Sequence, residues 1–162
     1  EYSAAISKVF EGRKFKIIFE PGRAIVGKAG ILLTKIEYIK KGQSKNFAII
    51  DAAMNDLMRP SLYNAHHQII NISNCNEKSD TYDVVGPVCE TGDFLGKNRN
   101  LSINPKNILA ILDVGAYGMS MSSNYNSRMR PAELLIDGKK VFEIKKREVF
   151  DDLIRYESLP SV

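Results

Sequence analysis

The sequence predicts a mainly β domain, either a sandwich or a barrel, preceded by one helix and one strand of an α/β layer. Five short runs rich in β-branched and aromatic residues lie between residues 31 and 112 and are separated by turn-forming residues. Of the 162 residues, 44% are apolar and 26% are charged, which provides a core and leaves too little charge for disorder. The length suits one ordinary domain.

The first elements belong to the α/β layer. Apolar residues recur at helical spacing from Tyr2 to Phe10, and the helix is predicted to end at Glu11-Gly12. Residues 14–19 predict a buried strand that leads into Glu20-Pro21-Gly22-Arg23, where proline and glycine end regular pairing. We therefore predict a boundary near residues 23–27, with residues 1–23 as an α/β remnant and residues 24–162 as the β domain.

The β domain follows from alternating strand and turn signals. Strands are predicted at residues 31–39, 47–50, 67–72, 82–85 and 108–112, and short helices at 119–125 and 148–154. Residues 132–136 and 141–146 flank an Asp137-Gly138 turn and predict a hairpin.

Composition excludes several classes of function. No apolar stretch approaches the roughly 20 residues that a membrane helix needs. The net charge of +4 is spread along the chain without a basic tract, which favours small anionic ligands over nucleic acid. The N-terminus resembles an internal cut without a secretory signal, so we expect Cys75 and Cys89 to remain thiols in the cytoplasm.

Two motifs carry arginines beside turn-forming residues. In Glu20-Pro21-Gly22-Arg23, glycine lets the backbone approach an anion and Arg23 offers a planar fork. The alternative is a Pro-Gly turn with a surface ion pair. Arg59 and Tyr63 flank a proline and could clamp a carboxylate, or could be a solvated arginine and a half-buried tyrosine. The adjacent His66-His67 does not have zinc-ligand spacing, so one satisfied and one exposed histidine are expected.

Residues 86–93 combine a thiol, two carboxylates and three turn-forming residues after a strand, which is typical of a functional loop. Glu90 and Asp93 favour the protonated thiol, so Cys89 suits a proton donor better than a nucleophile. A small half-buried cysteine is the alternative. Residues 113–118 follow a strand and could aim backbone N–H groups and Tyr117 at an anion, although Gly-x-x-Gly is also common in ordinary turns.

Taken in order, four motifs resemble the C-terminal part of the diaminopimelate decarboxylase family. They are Glu20-Pro21-Gly22-Arg23, Arg59-Pro60-Ser61-Leu62-Tyr63, Cys89-Glu90-Thr91-Gly92-Asp93, and Gly115-Ala116-Tyr117-Gly118 followed by Ser122-Ser123-Asn124-Tyr125-Asn126. The resemblance covers essentially the whole chain, with Thr91 where serine is commoner. It implies a Greek-key-like β barrel shaped like the C-terminal domain of alanine racemase, after the last helix and strand of a TIM-type barrel that binds pyridoxal 5'-phosphate (PLP).

The resemblance also implies roles for individual residues. Glu20 would lie beside the pyridine nitrogen of PLP, while Pro21, Gly22, Arg23 and Tyr117 would hold the phosphate region. Arg23 and Tyr117 would also reach the substrate. Arg59, Tyr63 and Glu90 would bind the far end of meso-diaminopimelate, which carries a carboxylate and an ammonium group. Cys89 would return a proton to the substrate carbon, giving L-lysine, the last step of lysine biosynthesis.

In this family the loop that carries Cys89 and Glu90 reaches the active site of the partner subunit, so the resemblance implies a homodimer. The PLP-binding lysine belongs to the upstream barrel, and no lysine of this chain lies in a matching motif. We therefore expect this polypeptide alone to be inactive. Alternatives are a decarboxylase for carboxynorspermidine or another basic amino acid, and a non-catalytic dimerisation or binding domain. A basic tail such as that of ornithine or arginine would be repelled by Arg59.

Overall fold

The computed structural model describes residues 1–160, which form one six-stranded sheet, a separate hairpin and four short helices. The helices are α1 (Tyr2–Val9), α2 (Arg23–Val26), α3 (Arg59–Tyr63) and α4 (Phe150–Ile154). The strands are β1 (Leu32–Lys40), β2 (Asn46–Ile50), β3 (Ile69–Asn71), β4 (Asp80–Val85), β5 (Phe94–Leu101), β6 (Ile108–Ile111), β7 (Glu133–Asp137) and β8 (Lys140–Lys145).

The large sheet curls so that its two edges approach each other. Its strand order is β3-β6-β1-β2-β4-β5, and every neighbouring pair is antiparallel except β2 and β4. A Cβ atom added to Gly96 of edge strand β5 would lie 2.9 Å from the Ile69 side chain of the other edge strand, β3. A sheet that nearly closes leaves few open edges, and it confirms the predicted mainly β, barrel-like architecture.

The core lies inside this curled sheet because side chains alternate along its strands. In β1, Thr34 and Ile36 are buried, whereas Lys35 and Glu37 pair on the outer face at 2.7 Å. The core joins side chains from every strand of the large sheet and from the loops beside them: Ile36, Ala48, Ile50, Ala52, Leu57, Ile69, Tyr82, Val84, Leu95, Leu101, Ile103, Leu109 and Ile111.

The five strands predicted between residues 31 and 112 are confirmed, with ends that shift by a few residues. Strand β5 was missed because residues 97–100 are polar and interrupt the alternation. Leu95 and Leu101 still face the core, while Asn98 adopts a left-handed φ of 53° and the pairing with β4 shifts register. The irregularity of the strand therefore hid it from a simple period-two pattern.

The prediction for residues 14–19 was wrong. Helix α1 is confirmed, but residues 14–19 form no strand and pair with no strand among residues 1–160. Their aromatic side chains instead contact α1 and its end: Phe19 lies 6.3 Å from Tyr2, and Phe15 lies 5.7 Å from Phe10, between ring centroids. A strand needs a neighbour for its backbone hydrogen bonds, and the described residues offer none here.

The helix predicted at residues 119–125 was also wrong, because two 3₁₀ turns, Met119–Met121 and Tyr125–Ser127, occupy this region. The buried Asn55 amide donates to the carbonyls of Ser123 and Tyr125 at 3.1 and 2.7 Å. The Asn55 side chain thus occupies backbone carbonyl groups that a helix would use for its own hydrogen bonds. The predicted hairpin is confirmed as β7 and β8, with a φ of +58° at Gly138, and α4 is a shorter form of the helix predicted at 148–154.

One carboxylate ties the loop after residue 118 to the chain that follows the hairpin. Glu148 accepts hydrogen bonds from the Arg130 backbone N–H at 2.7 Å, the Arg130 guanidinium at 3.0 Å and the Asn124 amide at 2.6 Å. Burial raises the pKa of Glu148, but these donors outweigh it and lower the pKa to about 2, from an ordinary value of 4.5.

We predict that Glu148→Gln in the full-length protein lowers the free energy of unfolding by about 1 to 2 kcal/mol at pH 7. Because the folded-state pKa lies below the unfolded one, this stabilisation is present above pH 4.5 and is lost as the pH falls towards 2. Urea unfolding at pH 7 and pH 3 measures both effects. Glu143→Gln, on the exposed face of β8, is the matched control. If the free energy of unfolding differed equally between wild type and Glu148→Gln at both pH values, the stabilising role of the ionised Glu148 would be contradicted.

Candidate functional site

The loop after β6 lies against the segment that follows Arg23, and this contact requires glycine. A Cβ atom on Gly115 would lie 2.0 Å from the carbonyl oxygen of Val26, a distance that no side chain tolerates. The Gly115 N–H donates to the Gly27 carbonyl at 3.0 Å. Two residues later, Tyr117 adopts a left-handed φ of 64°. The loop therefore presents Tyr117 from a backbone that is fixed against residues 23–27.

Helix α3 places Arg59 between two tyrosine rings. The guanidinium carbon lies 5.9 Å from the ring centroid of Tyr63 and 5.6 Å from that of Tyr117. The sequence predicted a proline turn here, but Pro60 occupies the first turn of a helix that ends at Asn64 in a left-handed conformation. Residues four apart share a helix face, so Arg59 and Tyr63 act as a pair. The Arg59 Nε is buried without a hydrogen-bond partner among the described residues.

The first arginine motif lies beside the same ring. A Cβ atom on Gly22 would lie 3.4 Å from the Tyr117 hydroxyl oxygen, so the Gly22 backbone and the phenol are close neighbours. The Arg23 side chain runs past Gly27, where an added Cβ would meet its Cγ at 3.0 Å. Glu20 and Pro21 are exposed on the approach to this turn. The structure thus places the Gly22 backbone beside the Tyr117 hydroxyl, with Arg23 next along the chain.

A buried histidine, His67, lies near the two arginines of this region. His67 is 2% exposed, and its Nδ1–H donates to the Leu112 carbonyl at 2.9 Å. Burial lowers the pKa of His67, and the positive charges of Arg59 and Arg23 lower it further. His66 is exposed as expected, but His67 is satisfied only at Nδ1, because its buried Nε2 has no hydrogen-bond partner among the described residues. The charges around this imidazole are therefore the guanidinium groups of Arg59 and Arg23 and the carboxylate of Asp113.

The segment from residue 86 to 93, which we call the Cys-Glu loop, is closed by Asp93. This carboxylate is 4% exposed and accepts hydrogen bonds from the backbone N–H groups of Met54 and Val88, each at 2.7 Å. The Gly86 N–H also donates to the Asp93 carbonyl at 3.1 Å. The sequence indicated Asp93 as a charge beside the thiol, whereas the structure shows that its carboxylate shapes the loop.

The tip of the Cys-Glu loop exposes Cys89 and Glu90. The Tyr125 hydroxyl donates to Glu90 Oε1. This hydrogen bond raises the pKa of Tyr125, so the phenol keeps its proton and acts as the donor. Tyr125 was missed as a site residue because residues 119–125 predicted a helix. The only signal for it was its place in Ser122-Ser123-Asn124-Tyr125-Asn126.

The two halves of the site contact opposite sides of α3. Arg59 and Tyr63 share one face, whereas Ser61 is two residues from Arg59 and therefore about 200° around the helix axis. The Ser61 hydroxyl donates to the Gly92 carbonyl of the Cys-Glu loop. Within one chain, helix α3 thus separates the Arg59 cluster from the loop that carries Glu90.

Other candidate sites are weaker. Two surface cavities of about 260 and 680 Å³ adjoin Asp80 and Tyr82 and contain none of the predicted site residues. Within residues 1–160, no cluster of three or more His, Cys, Asp or Glu side chains could hold a metal ion. None of the helices described is both long and apolar enough to cross a membrane. Cys75 and Cys89 are free thiols.

Comparison with known proteins gives a consistent result. The family described as pyridoxal-dependent decarboxylase, C-terminal sheet domain, matches residues 8–115. The diaminopimelate decarboxylase of Pseudomonas fluorescens is 48% identical over 98% of this chain, and that of Vibrio cholerae is 50% identical over 98% of it. The chain spans 38% of the length of each of these relatives.

Solved structures agree with the sequence relatives. The diaminopimelate decarboxylase of M. jannaschi has a TM-score of 0.88 at 41% identity, over 98% of this chain and 37% of that one. The Helicobacter pylori diaminopimelate decarboxylase complexed with L-lysine has a TM-score of 0.84 at 45% identity, over 96% of this chain and 39% of that one. The chain therefore belongs to the pyridoxal-dependent decarboxylase family, and it contains that family's C-terminal sheet domain.

Proposed function

We propose that the longer protein containing this chain is a PLP-dependent decarboxylase that converts meso-2,6-diaminopimelate to L-lysine and carbon dioxide. Relatives of that name are 48 to 50% identical to the chain, which spans about 38% of their length. In this proposal, residues 24–162 are the C-terminal β domain, and residues 161 and 162 lie outside the described part. In the same proposal the protein works in the reducing cytoplasm, where Cys75 and Cys89 would stay thiols.

Residues 1–23 are, in the same proposal, the last helix and strand of the PLP-binding barrel. No residue of α1 is buried among residues 1–160, and Tyr2 and Ile18 are 76% and 72% exposed. Apolar side chains this exposed are typical of a surface that packs against further protein. The missing strand at residues 14–19 has the same explanation, because its neighbours would be the other strands of a barrel.

The observation that carries the proposal is the Arg59 guanidinium between the rings of Tyr63 and Tyr117, with a buried and unpartnered Nε–H. A buried donor without an acceptor is costly, and a ligand carboxylate would satisfy it. Arginine also presents parallel N–H groups that match the two oxygens of a carboxylate. Arg59 is therefore suited to bind the distal carboxylate of diaminopimelate, with Tyr63 beside it.

The residues around Tyr117 fit the cofactor's phosphate. Gly22 lacks a side chain where the Tyr117 hydroxyl approaches it, so backbone and phenol could both contact a phosphate oxygen. Arg23 adds positive charge, Glu20 would lie by the pyridine nitrogen, and Pro21 fixes the turn between them. When bound, PLP supplies an electron sink for the carbon that loses carbon dioxide. The lysine that binds PLP covalently would come from outside this chain.

Recognition of the substrate requires Glu90 from a second subunit. The distal end of diaminopimelate carries an ammonium group next to the carboxylate that Arg59 binds, and the Glu90 carboxylate is its natural partner. Because α3 separates the Arg59 cluster from the Cys-Glu loop, the loop of one subunit is better placed to complete the site of its partner. This arrangement supports the proposal of a homodimer with two shared sites.

Cys89 is proposed to hold the proton that replaces the lost carboxylate. Its thiol is exposed on the same loop as Glu90, so it reaches the partner's site together with that carboxylate. The thiol transfers its proton to the substrate α-carbon, and the thiolate regains a proton from solvent after L-lysine leaves.

We predict that the full-length protein releases carbon dioxide from meso-diaminopimelate with a kcat/KM at least about 100-fold above that for ornithine, since ornithine leaves Arg59 unpaired.

Arg59→Lys should lower kcat/KM for meso-diaminopimelate about 100-fold and leave the slow reaction of ornithine unchanged, because lysine lacks the bidentate fork. Arg147→Lys, at an exposed position, is the matched control. A higher kcat/KM for ornithine or carboxynorspermidine than for meso-diaminopimelate would contradict the proposal. An equal loss of kcat/KM for meso-diaminopimelate and ornithine in Arg59→Lys would also contradict it.

A second prediction concerns the 162-residue polypeptide itself. After incubation with PLP and reduction with borohydride, we expect no single lysine to be labelled stoichiometrically, because none lies in a PLP-binding motif. Mass spectrometry of tryptic peptides measures the labelling, and the full-length protein, labelled on one lysine, is the control. Stoichiometric labelling of one lysine between residues 1 and 162 would show that this chain binds PLP covalently.

A further inference from the structure

We propose that Tyr125 is a positioning residue for Glu90: its hydroxyl holds one carboxylate oxygen so that the other faces the substrate's distal ammonium group. This inference rests on the proposed function of Glu90. Tyr125 itself contacts neither substrate nor cofactor in the proposal. It acts through the glutamate.

The hydrogen bond from Tyr125 is the one hydrogen bond that the Glu90 side chain makes among residues 1–160, and it engages only Oε1. Oε2 is therefore available for a ligand. Glu90 is exposed at a loop tip, where an unrestrained glutamate samples many rotamers. Restricting these rotamers in advance reduces the entropy that would otherwise be lost when the ammonium group binds.

Tyr125 can restrain Glu90 because the core holds its own backbone. Asn55 is 1% exposed and donates to the Tyr125 carbonyl at 2.7 Å, and the Ser123 N–H donates back to the Asn55 carbonyl at 3.1 Å. The next two residues, Asn126 and Ser127, adopt left-handed φ angles of 60° and 54°. The backbone path that presents the phenol is thus set independently of the Cys-Glu loop.

The other end of the hydrogen bond is also held. Asp93 closes the base of the Cys-Glu loop, and the Ser61 hydroxyl fixes the Gly92 carbonyl. Between these anchors, the Glu90 N–H donates to the Val88 carbonyl at 2.8 Å. The backbone of the tip is therefore defined, and the remaining freedom lies in the Glu90 side chain, which is the part that Tyr125 restrains.

The test is a double-mutant cycle in the full-length PLP-bound enzyme, with Tyr125→Phe, Glu90→Gln and the double variant. Tyr125→Phe removes only the hydroxyl, so we expect KM for meso-diaminopimelate to rise about tenfold, the value of one hydrogen bond to a charged group, with kcat changed less than about twofold. In the Glu90→Gln background, Tyr125→Phe should have little further effect. Tyr38→Phe, an exposed tyrosine on β1, is the matched control.

The outcomes separate this inference from the proposed function. If Glu90→Gln raises KM but Tyr125→Phe does not, the positioning role is wrong and the proposed function of Glu90 stands. If Tyr125→Phe costs as much in the Glu90→Gln background as in wild type, the tyrosine has a merely structural role and the inference is overturned. If Glu90→Gln leaves KM unchanged, both the function of Glu90 and the role of Tyr125 are refuted.

Discussion

The contact of the Arg59 guanidinium with the ring of Tyr117, 5.6 Å from its centroid, joins the two parts of the chain on which the candidate site depends. Tyr117 belongs to a loop that reaches the segment after Arg23 only because Gly115 lacks a side chain. Arg59 belongs to a helix of five residues between two strands of the sheet. The Tyr117 ring thereby brings together the Gly22 turn and Arg59, which are far apart in sequence.

Helix α3 also accounts for the proposed assembly. One face of α3 carries Arg59 and Tyr63. The opposite face carries Ser61, which donates a hydrogen bond to the Cys-Glu loop. A symmetric dimer can bring groups on opposite sides of such a helix together across its two-fold axis. In the proposed homodimer, Glu90 of one subunit would therefore serve the site of its neighbour.

Most of the strands and the hairpin could be predicted from the sequence. Strands such as β1 are rich in β-branched and aromatic residues, and the Asp137-Gly138 turn marks the hairpin. Irregular elements were missed: β5 is polar at its centre, and Asn55 diverts residues 119–125 from a helix through contacts distant in sequence. The motif residues and their grouping came from the family resemblance, whereas the contacts that position them, through Gly115 and Asp93, were not predicted. These two act through backbone contacts that no local pattern reveals.

The central claim is that Arg59 and Glu90 act together from different subunits, and subunit complementation tests it most directly. Mixed dimers of full-length Arg59→Ala and Glu90→Ala subunits are co-expressed with two different affinity tags and purified on both. Each contains one site with both residues intact, so we expect about half the wild-type rate of carbon dioxide release, whereas each parent homodimer is impaired at both sites. Mixed dimers no more active than the parents would mean that Arg59 and Glu90 do not meet across a subunit interface.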